Sequence, residues 1–101
     1  MGKKFEARLW VNHQPIEMNA FTEEFLARVA LGMVSSLKGG ENVRELEIYL
    51  QEGEVGVVAD GKDLPLTPFP KDVISSTLIG LISSLKGVRR VESFTVRVKL
   101  V

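Results

Sequence analysis

Residues 33–39 read MVSSLKG and residues 81–87 read LISSLKG, the same stretch written twice at an offset of 48. Aligned at that offset without a gap, Phe21 to Gly39 falls on Phe69 to Gly87. Phe21/Phe69, Gly32/Gly80, Ser35/Ser83, Ser36/Ser84, Leu37/Leu85, Lys38/Lys86 and Gly39/Gly87 are identical. The likeness continues as pattern on both sides. Val43, Leu46, Ile48 and Leu50 fall on Val91, Phe94, Val96 and Val98, and Ala7, Leu9 and Val11 fall on Val55, Val57 and Ala59. An even offset keeps inward-facing strand positions inward in both copies. The chain reads as one domain of two repeats, residues 1–52 and 53–101.

The repeated stretch reads as a helix stop. Leu37 and Leu85 are the last core contacts, Lys38 and Lys86 meet the negative end of the macrodipole, and Gly39 and Gly87 take the left-handed residue that closes the turn. Glycines that cradle a phosphate precede a helix N-terminus, whereas these follow a C-terminus. The preceding helices start at Asn19 and Thr67, whose oxygens suit an N-cap, followed by Ala20 and Pro68 at the first helical position. Apolar residues recur at Phe21, Phe25, Leu26, Val29, Ala30, Met33, Val34 and Leu37, and at Phe69, Val73, Ile74, Leu78, Leu81, Ile82 and Leu85. Spacings of three and four predict one broad buried face on each helix.

Strands flank the helices. FEARLWV (5–11) and EVGVVA (54–59) are followed by the turn chemistries NHQP and DGKD, then by IEM (16–18) and LPL (64–66), which can return as short hairpin arms. Pro65 confines the second arm to an edge. QEGE at 51–54 predicts a hairpin joining the copies. The order β-α-β, hairpin, β-α-β predicts an α+β ferredoxin-like split βαβ sandwich: a four-stranded antiparallel sheet of order 4-1-3-2 with two helices on one face. The alternative keeps the arms as strands, giving tandem ββαβ units around a larger sheet.

Either arrangement points Ala7, Leu9, Val11, Leu46, Ile48, Leu50, Val55, Val57, Phe94, Val96, Val98 and Leu100 at the helices. The open face then carries Glu6, Arg8, Trp10, Glu45, Glu47, Tyr49, Glu54, Gly56, Val58, Thr95, Arg97 and Lys99. With order 4-1-3-2 this face runs from a basic edge to an acidic one, and a twofold could set Arg97 and Lys99 of one copy near Glu45 and Glu47 of another.

Composition narrows the function. Thirteen basic residues balance thirteen acidic ones, so no overall field draws the chain to nucleic acid or an anionic membrane. There is no cysteine, which excludes disulfides, thiolate metal sites, iron–sulfur clusters and cysteine nucleophiles. The start MGKKFEARLW reads as a strand and not a signal peptide, and Glu6 stands where an acylation signal after Gly2 needs Ser or Thr. A cytoplasmic location is the default expectation.

No catalytic constellation emerges. His13, the one histidine, lies in a turn without an acid or nucleophile beside it in sequence. Ser35, Ser36, Ser83 and Ser84 lie in helices without a base. Gly32, Ser36, Gly80 and Ser84 form a small-residue ridge that would let the two helices approach closely. Leu31 and Ile79 widen the core or form a small patch. Glu41, Glu45, Glu47, Glu52 and Glu54 read as a solvated edge, not a metal site. No cofactor is expected. The open sheet face, with Arg8, Trp10, Tyr49, Val58 and Arg97, is the candidate binding surface for a protein partner or a second copy, centred on Trp10. RNA stacking on the same face is the alternative, with Arg8, Arg97 and Lys99 near Trp10. Gly56 and Val58 stand where that use wants aromatics.

Overall fold

Six strands and two helices are ordered along residues 5–101, the part of the chain that the computed structural model describes. They run β1 (Phe5–Val11), β2 (Gln14–Ile16), α1 (Ala20–Ser35), β3 (Glu45–Gln51), β4 (Glu54–Ala59), β5 (Lys62–Asp63), α2 (Pro68–Ser83) and β6 (Phe94–Leu100). The expectations for Met1 to Lys4, a strand start without an acylation signal, lie outside the described residues. The sheet is antiparallel throughout, in the order β2-β1-β6-β3-β4-β5.

The order 4-1-3-2 is therefore not the one adopted, and the sheet has six strands. Counting only the long strands β1, β3, β4 and β6 as first to fourth, the observed order is 1-4-2-3. The reason is local. Asn12 and His13 both have positive φ, 51° and 69°, as do Asp60 and Gly61, 52° and 84°. Two successive left-handed residues make the turn whose twist matches a two-residue hairpin. Each turn folds a short arm onto one edge of its strand, β2 onto β1 and β5 onto β4. A strand with one edge occupied cannot sit at the centre between two long neighbours, so β3 and β6 take the centre. The helix still carries the chain across one intervening strand in each repeat, α1 past β6 and α2 past β3.

The duplication becomes a pseudo-twofold axis through the middle of the sheet. Ile48 and Val96, equivalent in the repeat, are Cα partners on β3 and β6. Around them Leu46 pairs with Val98 and Leu50 with Phe94, and the axis exchanges these two pairs. All the expected inward residues are buried except Leu100, which is half-buried, and Ala59 joins them. From the helices Leu26, Ala27, Ala30, Val34, Ile74, Leu78 and Ile82 close the core. Truncating a residue such as Ile48 in so closed a layer would cost about 2–5 kcal/mol.

The helix ends follow sequence chemistry with two refinements. Asn19 caps α1, its side-chain oxygen accepting from Thr22 N–H at 2.8 Å. Thr67 makes no such bond, because the matching donor position in α2 is Pro70, which has no N–H. At the other end the helices stop at Ser35 and Ser83, and Gly39 and Gly87, each at φ 89°, lie in the turn beyond them. Gly40 N–H donates to Leu37 C=O at 2.9 Å and Val88 N–H to Leu85 C=O at 3.2 Å. The glycines thus close a separate turn after the helix, and Lys38 and Lys86 sit past the last helical turn.

Four residues assigned to the buried helix face are not there. Phe21, Phe25, Phe69 and Val73 are exposed. A helix lying on a sheet buries one arc, and Leu26, Ala27, Ala30 and Val34 already fill that of α1. The glycine ridge is not a helix–helix contact either, since a Cβ at Gly32 or Gly80 would meet nothing within 4 Å. Leu31 and Ile79 are half-buried against the core.

Candidate functional site

The molecule measures 37 × 34 × 19 Å, and its short dimension is one sheet plus one helical layer. The sheet face away from the helices is open. Strand alternation and antiparallel register arrange its side chains in cross-strand rows. One row runs Pro15, Trp10, Thr95, Tyr49, Gly56; the next runs Arg8, Arg97, Glu47, Val58, Asp63; a third holds Glu6, Lys99 and Glu45. Arg8, Trp10, Tyr49, Val58 and Arg97 thus share one face and two adjacent rows.

Arg97 organises this face. Its guanidinium carbon stands 5.5 Å from the centroid of the Trp10 ring, and its Nε donates to Glu47 Oε1 at 3.0 Å. Each contact is modest at an exposed site, about 0.5–1 kcal/mol for the cation–π contact and about 0–1 kcal/mol for the ion pair. Together they orient a long side chain between two shallow hollows. One, of 410 Å³, is bounded by Glu6, Arg8, Glu45, Val58 and Lys99; the other, of 260 Å³, by Trp10, His13, Gln51 and Thr95; Arg97 lines both. Trp10 and Tyr49 are half-buried one strand apart from Thr95, about 10 Å from each other by strand spacing.

Tyr49 lies across Gly56, its Cα partner on β4. A Cβ on Gly56 would collide with the Tyr49 hydroxyl and ring. The glycine is therefore the bed on which the ring lies flat, not a gap where an aromatic is missing.

The expected charge gradient is absent. Because β3 and β6 are neighbours, Arg97 pairs with Glu47 and Lys99 Nζ approaches Glu45 Oε2 at 3.9 Å within one chain. The partners assigned to two copies across a twofold are already together.

The remaining candidates resolve locally. His13 is an exposed turn residue. Ser35, Ser36 and Ser84 donate their hydroxyls to the helix carbonyls of Gly32, Met33 and Gly80 at 2.7–3.0 Å, which commits them to the helix ends. Among the described residues no three metal-ligating side chains gather, and no helix is long and apolar enough to cross a membrane.

Two arrangements escaped sequence reasoning. In sequence Glu47 reads as part of an acidic edge; only the strand order makes it the partner of Arg97. In sequence the Asn12 and Asp60 side chains read only as turn residues. Each in fact binds backbone of the other repeat, and their matched position at an offset of 48 was the available signal.

No protein-family model, no curated protein and no solved structure matches this chain.

Proposed function

We propose that the chain is a non-catalytic interaction module that binds a protein partner on its open sheet face. The observation that carries this reading is the Trp10–Arg97–Glu47 arrangement. A large aromatic ring, half-buried and faced by a guanidinium that also pairs with Glu47, is the kind of anchor that dominates protein interfaces. Thr95 and Tyr49 extend the same row with hydroxyl groups, and the two hollows beside Arg97 can receive side chains.

Charge favours protein over nucleic acid. Arg8, Arg97 and Lys99 are interleaved with Glu6, Glu45 and Glu47 on adjacent strands, so a phosphate backbone would meet as many carboxylates as cations. Sheet-edge pairing is a weaker route. Both edges are short, β2 with Pro15 inside it and β5 of two residues.

Trp10 is the one tryptophan, so its fluorescence reports on this face directly. A displayed random-peptide library should yield sequences that shift this fluorescence and that neither Trp10→Ala nor Arg97→Ala retains. Mixed-sequence single-stranded RNA should leave the emission unchanged at low salt. Equal retention of selected peptides by the folded variants, or saturable RNA quenching, would overturn the reading.

A further inference from the structure

Arg8 and Arg97 are Cα partners on β1 and β6, so two guanidinium side chains leave the open sheet face directly opposite each other. Like charges at such positions oppose strand pairing. Arg97 has a counter-ion within the chain, since its Nε donates to Glu47 Oε1 at 3.0 Å. So has Lys99, whose Nζ lies 3.9 Å from Glu45 Oε2. Arg8 has none. Among the described residues no carboxylate stands within ion-pair distance of it, that of Glu6 on the same strand face included. Residues 1–4, MGKK, carry no acidic side chain. Of the three cations on this face, Arg8 is the one that opposes its neighbour without an ion pair to offset it.

Its position joins the parts of the face. Arg8 is exposed and borders two hollows. With Arg97 and Val58 it lines the 410 Å³ hollow, and with Trp10, Pro15, Ile16 and Met18 it lines another of 180 Å³. An apolar group seated against Trp10 in the smaller hollow therefore has the Arg8 guanidinium as its neighbour.

Charge defines the group that fits there. Arg8, Arg97 and Glu47 stand in one row with a surplus of one positive charge. A carboxylate carries one negative charge and matches the guanidinium fork through two parallel N–H···O bonds. A phosphate brings about −1.5 to −2, and its excess would face Glu47. Glu47 engages Arg97 through Nε, which leaves the outer N–H groups of that guanidinium for the same incoming carboxylate.

We propose that Arg8 sets the specificity of the sheet face, receiving an Asp or Glu side chain of the protein partner beside the apolar group that rests on Trp10. This role presupposes the sheet-face reading and adds the partner's chemistry to it.

Peptides selected from a displayed random library on the wild-type protein test this role. They should share an acidic residue near an apolar one. Replacing that acid by its amide should weaken binding about tenfold, as should Arg8→Gln, and the two changes together should cost little more than either alone. Selection on Arg8→Glu should return a basic residue at the acidic position. Arg8→Gln should unfold in urea at or above the wild-type midpoint, because it removes a like-charge pair. Inorganic phosphate should displace the peptide no better than chloride at equal ionic strength.

Peptides that need Trp10 and Arg97 but bind Arg8→Gln as tightly as wild type would overturn the role of Arg8 and leave the sheet-face reading standing. Peptides indifferent to Trp10 as well, or no peptides at all, would overturn both. A lowered urea midpoint for Arg8→Gln would overturn it by showing that Arg8 serves the fold, and specific displacement by phosphate would overturn the carboxylate.

Discussion

Asn12 and Asp60 clamp each other's repeat. The Asn12 side-chain oxygen accepts from Glu92 N–H at 2.8 Å and Ser93 N–H at 3.0 Å, where the chain enters β6. Asp60 does the same for Arg44 N–H at 2.9 Å and Glu45 N–H at 2.8 Å, where it enters β3. Turn residues of one repeat thus fix the start of the central strand contributed by the other.

Asn12→Ala should destabilise the fold by about 1–2 kcal/mol in urea, because it strips partners from two N–H groups and from the Arg90 carbonyl that Asn12 Nδ2 reaches at 2.6 Å. Asn12→Asp should fall between, keeping the acceptor and losing that donor. Unchanged midpoints in both variants would remove the clamp.

The Asp60 carboxyl is held below its ordinary 3.8 by the backbone N–H groups of Glu45 and Arg44. A folded-state value below the unfolded one contributes stability that is present above the ordinary carboxylate range and lost as pH falls through the lowered value. Asp60→Asn keeps an acceptor without the titration. Its stability should lie slightly below wild type near neutrality and fall less steeply in acid, as urea midpoints across that range will show.

His13→Gly should stabilise the fold by about 0.5–1 kcal/mol. His13 holds φ 69° at the position that Gly61 takes in the second repeat, a conformation glycine adopts without a Cβ penalty. A lower thermal midpoint would mean that the His13 side chain does something beyond its backbone.

Gly56→Ala should destabilise by about 1–3 kcal/mol, because the new methyl group displaces the Tyr49 ring. In a Tyr49→Ser background the same change should be nearly neutral. Additive effects in the double-mutant cycle would show that the ring does not rest on Gly56.

Residues 1–52 alone contain β1 and β3 but not the strand that lies between them. The fragment should be unfolded or a homodimer in which β3 pairs with its own copy, Ile48 against Ile48, in place of Ile48 against Val96. A well-folded monomeric fragment by sedimentation and circular dichroism would contradict this topology.

Period-two alternation read the strand faces well. It brought Arg8, Trp10, Tyr49, Val58 and Arg97 onto one surface, because side-chain direction is a property of each strand alone. Strand order is not. It turned on whether Asn12–His13 and Asp60–Gly61 form tight two-residue hairpins, and the mistaken charge gradient followed from leaving that open. The helices failed differently. Periodicity counts Phe21 and Phe25 as apolar but cannot say how wide an arc the sheet covers, so apolar residues outside that arc read as core.

The position of β6 has a consequence for synthesis. A ribosome delivers β1 with its arm β2, and β3 with its partner β4, well before Phe94–Leu100 emerges. Until then the sheet is two separate ribbons, each with an inner edge unpaired and half a core exposed to water. No half-finished chain can settle into the native sheet, and every earlier stage of translation offers open strand edges to chaperones or to other nascent chains. Of the six strands described, the one made last joins the two ribbons.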